Sequence, residues 1–228
     1  MRLLLLLACT PVAAFAQATT TQPTPAPTIL DRVQVTATRL AEPARDVPAS
    51  VSIVERGDGR TDTLGAALSE RLGTVPGLLA RDRHNYAQDE QISIRGFGTR
   101  ASFGIRGLRL YLDGVPATMP DGQGQVSHMP LQFARRVEVL RGPFSVSYGN
   151  ASGGVVQVFT DDPASPGSVR VTGAIGADAS RRASIEANDR RDAFGWLVGA
   201  QHFATDGFRT HSAAERNLVH GKLAFGAG

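Results

Sequence analysis

Cysteine is almost absent: Cys9 stands alone in 228 residues, so no intramolecular disulfide framework can form. Long apolar runs are missing too. The longest, Leu3 to Cys9, is far below the roughly 18 residues of a membrane-spanning helix, so any entry into a bilayer would have to be as a β-barrel. Neither sign of charge dominates. The 24 basic and 21 acidic residues leave a formal charge of +3, too small and too scattered to argue for nucleic acid. Catalytic templates are lacking as well: there is no P-loop, no G-x-S-x-G, no H-E-x-x-H and no C-x-x-C. Gly96 and Gly98, and Gly122 and Gly124, lack the third glycine of a dinucleotide fingerprint. His84, His128, Met119 and Met129 offer soft donors, but their spacing matches no ligand set. No enzymatic role, no metal site and no cofactor are expected. A secreted enzyme with an all-β domain would have to show a catalytic constellation, and none is present.

What is present begins with an export signal. Arg2, the apolar run after it and the Ala14–Ala16 cleavage pattern mark residues 1–16 as a secretory signal peptide. Leu6 to Cys9 loosely matches a lipoprotein box, but the better cleavage site follows it. Residues 17–40 are a linker: a Thr/Pro/Ala stretch with Pro23, Pro25 and Pro27, then a short strand-like alternation through Val33 and Val35. That alternation reads either as the first strand of the next domain or as a segment that pairs with an edge strand of another protein.

Residues 41–163 follow as a domain. Val47 to Val54 reads as a strand, and Leu64, Ala67, Leu68 and Leu72 fall at helical spacing after a candidate cap at Thr61 or Asp62. The organising stretch, Gln91 to Thr160, holds alternating runs at Ile92–Ile94, Leu108–Leu112, Val137–Leu140 and Val155–Val158. Each run breaks at Gly or Asp-Gly, as at Asp113 and Gly114, which predicts a small mixed sheet with long Gly-rich loops.

Residues 164–228 change pattern. Four strand candidates start near Ser168, Ala183, Phe194 and Asn217. Along three of them the apolar residues share one dyad: Val169, Val171 and Ile175; Phe194, Trp196 and Val198; Val219, Leu223 and Phe225. Amphipathic strands joined alternately by short turns and longer polar loops suit an outer-membrane barrel, though a soluble β-sandwich could carry the same pattern.

The motifs IRGFG, LYLDGVP and VEVLRGPFSVSYGNASGGVVQV, in this order, resemble the plug domain of TonB-dependent outer-membrane receptors. The resemblance runs from about Leu30 to the end of the chain. It implies an α+β plug domain followed by the N-terminal strands of a transmembrane antiparallel β-barrel, of about 22 strands when complete. Four strands leave open edges that lipid does not tolerate, so the chain is expected to be an N-terminal fragment. The resemblance further implies a receptor and transporter in the outer membrane that takes up a scarce ligand, a ferric siderophore or other metal chelate. The rival is a stand-alone periplasmic binding module on the plug fold.

Site expectations come from the same resemblance. Leu30, Asp31, Arg32, Val33, Gln34, Val35, Thr36 and Ala37 would be the TonB box captured by TonB, with outer-membrane lipid and a small-molecule ligand as the other partners. Arg95 and Arg141, each followed by glycine, would lock the plug to barrel glutamates. Apical loops would supply ligand contacts from Arg81, His84, Arg100, Phe103, Met119, Asp121, Gln123 and Gln125.

Overall fold

A computed structural model describes residues 34–35, 42–43, 49–57, 63–86 and 88–226. The leader 1–16, most of the linker and the candidate caps Thr61 and Asp62 lie outside the described residues. Among those described, no helix is long and apolar enough to cross a membrane.

The first two strands are short: β1, Gln34–Val35, pairs antiparallel with β2, Glu42–Pro43. The plug sheet then has the order β3-β8-β9-β6-β7, with β3 at Ser50–Glu55, β6 at Leu108–Leu112, β7 at Val115–Pro116, β8 at Ala134–Arg141 and β9 at Gly154–Thr160. Strands β6 and β9 run parallel and the other pairs antiparallel, so the sheet is mixed, as the sequence pattern predicts. Strand β9 is central and buried on both faces, which explains its nearly unbroken VVQVF run. Val156 and Val158 face one cluster with Leu108, Leu110 and Val137; Val155 faces another with Leu140, Tyr111 and Tyr148. Asp113 and Gly114 close the β6–β7 hairpin with φ of 48° and 81°, the left-handed pair that a two-residue hairpin turn requires. The Ile92–Ile94 run joins a separate ribbon instead, β5 at Gln91–Ile94 paired with β4 at Leu78–Arg81.

The helix expected from Leu64, Ala67, Leu68 and Leu72 is much shorter than their spacing suggests. Only Ser69–Leu72 forms helix α1. The amides just before it donate to carboxylates instead. Gly65, Ala66 and Ala67 donate to Glu70, while Leu68 and Ser69 donate to Glu90 at 2.6 Å each. Two side chains thus take five consecutive N–H groups that a longer helix would have used differently. Of the residues at helical spacing, Ala67, Leu68 and Leu72 are buried and Leu64 is half-buried.

Beyond the plug, β10 (Ser168–Ile175), β11 (Arg181–Arg191), β12 (Phe194–Thr205) and β13 (Ala214–Phe225) form one antiparallel sheet in chain order. Residues 192–193 join β11 to β12; longer loops, 176–180 and 206–213, close the opposite end. The alternation is strict on β13, where every second residue is exposed. Val169, Val171, Ile175, Phe194, Val198, Val219, Leu223 and Phe225 all stand on the outward face. The opposite face meets the plug. Phe133, in a 3-10 turn at Leu131–Phe133, lies over Gly199 so closely that a Cβ there would come within 2.8 Å of its ring. Pro163 fills the space over Gly195 in the same way, at 2.7 Å.

Charged groups complete the join. Asp161, just past β9, takes Arg56 Nη1 at 2.6 Å from the plug and Arg170 Nη1 at 2.9 Å from β10. Arg170 also reaches the buried Glu186 on β11 at 3.0 Å. Lys222 on β13 meets Asp162 at 2.7 Å and Asp113 at 3.5 Å. Arg182 donates to Leu64 O and Gln132 Oε1, and Arg216 to Ala66 O at 2.9 Å. Burial opposes ionisation of Asp161, but hydrogen bonds from Arg170 and Arg56 outweigh it and hold the carboxyl below the ordinary aspartate range.

Two outcomes are expected. Gly199→Val should destabilise the plug–sheet contact by about 1–3 kcal/mol, because the Phe133 ring is enclosed and cannot yield. Thermal unfolding reads this directly; an unshifted midpoint, with no rescue by Phe133→Leu, would refute the tight fit. For Asp161, a lowered folded pKa means stabilisation present above the unfolded value and lost as pH falls through the folded one. Asp161→Asn should therefore weaken hydrogen-exchange protection around residues 161–170 at neutral pH and flatten its acid dependence. An acid profile identical to that of the parent chain would remove Asp161 from this role.

Candidate functional site

The plug loops converge at the sheet end that carries the longer connections. The loop 82–86 packs against 176–180 and 206–213, and together they line a cleft of about 410 Å³. His84 meets the Phe208 ring edge-on at 5.2 Å, and Tyr86 lies 5.1 Å from Phe203. His84 holds a left-handed φ of 51°, and Asp82 Oδ1 accepts its backbone N–H at 2.8 Å.

A second cleft, of about 330 Å³, lies between residues 83–85 with 88–89 and the loops 102–104 and 123–125. Its size falls in the range of small-molecule sites. Here the structure brings together three of the expected ligand residues, Phe103, Gln123 and Gln125, with Arg83, Gln88 and Asp89. Gly104, at φ 60°, lets the 102–104 loop press onto Gln123; a Cβ there would sit 2.7 Å from its Cγ. Phe103 is 70% exposed, a large apolar surface with no protein cover. Arg106 braces the facing loop: it donates to Gln123 Oε1 at 3.1 Å and to Asp121 O at 3.2 Å, and pairs with the Asp121 carboxylate at 3.5 Å. Arg81, Arg100, Met119 and Asp121 lie outside this cleft. Arg81 ends β4, and Met119 closes a turn by accepting from Gly122 N at 2.9 Å.

The floor is fixed from beneath by two adjacent acids. Asp89 Oδ1 accepts from Val126 N at 3.1 Å and Ser127 N at 3.4 Å. Glu90 holds Leu68 and Ser69, as described above. Burial raises the Glu90 pKa, while the hydrogen bonds from Ser69 and Leu68 pull it back down. Arg216 on β13 donates to Ala66 O and Ser127 O, so it ties both of these segments to the sheet. Sequence reasoning placed Arg83, Asp89, Glu90 and Arg106 within the candidate ligand loops Arg81 to Glu90 and Arg100 to Arg106 without a bracing role, and it gave Arg216 no role. Their roles depend on contacts from 15 to 150 residues away, which no local pattern encodes.

Gln34 and Val35 of the expected TonB box sit in β1, paired with Pro43 and Glu42. Leu30, Asp31, Arg32, Val33, Thr36 and Ala37 lie outside the described residues. Arg95 and Arg141 both hold the turn before β4. Arg95 N donates to Gly77 O at 3.0 Å; Arg141 donates to Pro76 O and, at 2.9 Å, to Ser52 Oγ. Among the described residues neither forms an ion pair with a carboxylate. No group of three or more His, Cys, Asp or Glu that could hold a metal ion occurs among the described residues.

Comparison with known proteins bears on this arrangement. Residues 43–155 match the family model of the TonB-dependent Receptor Plug Domain. The chain is 31% identical over 157 residues to the vitamin B12 transporter BtuB of Vibrio vulnificus, covering 68% of this chain and 25% of the relative. The chain thus spans a quarter of the length of that curated relative. Among solved structures, the pyoverdine outer membrane receptor FpvA of Pseudomonas aeruginosa PAO1 superposes with a TM-score of 0.67 at 20% identity, over 83% of this chain and 27% of that one. The ferric yersiniabactin uptake receptor FyuA of Yersinia pestis gives 0.61 at 22%, over 77% and 28%. With its plug at residues 43–155, and with antiparallel strands packed behind it as in those structures, this chain belongs to the TonB-dependent receptor family.

Proposed function

We propose that this protein is an outer-membrane receptor that takes up a scarce metal chelate, a ferric siderophore or a related complex, with energy delivered through TonB. The observation that carries the reading is the division of the β10–β13 sheet into two faces. Val169, Val171, Val219 and Leu223 point outward, while Arg170, Arg182, Arg216 and Lys222 point to the plug. An apolar outer band with a polar interior is what a lipid-facing wall around a filled lumen requires. The vitamin B12 transporter among its relatives supports the class of cargo. In this reading residues 1–16 direct export, 17–40 carry the box, 41–163 are the plug and 164–228 begin the wall. Ligand settles on the cleft loops, and Arg95 and Arg141 steady the plug. TonB pairs with the box around Val33 and Val35 as an added strand, and traction on it displaces the plug.

The test uses Val33→Pro, which removes a backbone donor and breaks strand pairing. Energised accumulation of labelled chelate by whole cells should drop to the level seen without proton-motive force. Ligand binding to isolated outer membranes should stay within about twofold of the parent protein, since the cleft is untouched. Full uptake by the variant would overturn the box assignment, and loss of binding would show that the substitution acts through the fold.

A further inference from the structure

We infer that the cleft lined by Arg83, Gln88, Asp89, Phe103, Gln123 and Gln125 takes an uncharged ligand, rich in carboxamide or hydroxyl groups and with one apolar face, rather than a polyanionic chelate. The inference rests on the receptor reading above and narrows its substrate class. The charges that line the cleft are already committed. Arg83 directs both terminal nitrogens at backbone carbonyls, Ser102 O and Ala101 O, each at 3.3 Å. Asp89 is engaged by the Val126 and Ser127 amides. The facing cation, Arg106, is neutralised by Asp121 and further engaged by Gln123.

Arg83 and Asp89 keep opposite formal charges that offset one another across the lining, and the side-chain groups left free for a ligand are neutral. Gln88 and Gln125 are exposed, and neither side chain has a hydrogen-bond partner among the described residues. A carboxamide both donates and accepts, so it matches amides and hydroxyls and gives no preference to a bare anion. Phe103 adds an open aromatic face beside them. The guanidiniums that could recruit a polyanion, Arg81 and Arg100, are exposed but outside the cleft. A site built for a polyanion would aim such forks inward, because bidentate arginine contacts supply its strongest bonds.

The experiment compares two ferric chelates that differ in charge, with a corrinoid as a further uncharged, amide-rich probe. Outer membranes containing the protein as the cell makes it are titrated with a neutral ferric trihydroxamate, an anionic ferric tris-catecholate and a corrinoid. Saturable binding of the trihydroxamate or the corrinoid, changed less than about twofold between low and high salt, is the expected result. Gln125→Ala and Phe103→Ala should each weaken it about fivefold to tenfold, the loss of one contact. The paired substitution Arg81→Gln with Arg100→Gln should leave it unchanged. Preferential binding of the tris-catecholate, falling steeply with salt and lost in the arginine pair, would overturn the inference while leaving the receptor reading intact. Saturable binding of none of the three, together with no energised uptake, would overturn both.

Discussion

A β-strand sends successive side chains to opposite faces, and the chain depends on that two-residue period being honoured along β10–β13. One face can be apolar throughout only if the other has somewhere to put its polar groups. The plug is that place. It takes the inward cations on carboxylates and carbonyls, and it pushes Phe133 and Pro163 into the room left by Gly199 and Gly195. A one-residue slip of β13 would send Arg216 and Lys222 outward and turn Val219 and Leu223 onto the plug. Register, packing and charge therefore enforce one another.

Within the plug, the same economy of polar groups shapes the segment before α1. The sequence invites a helix there, and the structure provides one turn. Glu70 and Glu90 supply acceptors that an extended helical ladder would otherwise provide, and Glu90 comes from the loop that floors the cleft. Local propensity yields to a partner 22 residues away because a buried amide must be met by something. The cleft floor and the helix start are in consequence one mechanical piece.

Much of this was legible in the residues. The period-two runs at Leu108–Leu112, Val137–Leu140 and Val155–Val158 marked sheet strands, and Asp113 with Gly114 marked a turn, though not the short partner strand β7 that it folds back. The shared dyad of Val169, Val171 and Ile175 separated the two faces of the second sheet before any partner was visible. What the pattern could not convey was which strand neighbours which: Ile92–Ile94 reads like its companions yet joins a different ribbon. Nor could it convey the fastening of plug to sheet. Arg56, Arg170 and Arg216 look like ordinary polar residues on their own strands and turns. They acquire meaning only from Asp161, Glu186 and Ala66. At the cleft, Phe103, Gln123 and Gln125 were visible as loop residues, whereas the bracing by Arg106 and Asp89 was not.

The reach of Arg216 back to Ala66 spans 150 residues, and that of Arg182 to Leu64 spans 118. Such contacts close very large loops, whose entropic cost is met only after both ends are already ordered. The segment before α1 can gain these two contacts only once β11 and β13 are in place. Until β11 and β13 are in register, the carbonyls of Leu64 and Ala66 have no guanidinium to receive. The segment before α1 is thus fastened from outside its own sheet: its carbonyls are held by side chains of β11 and β13.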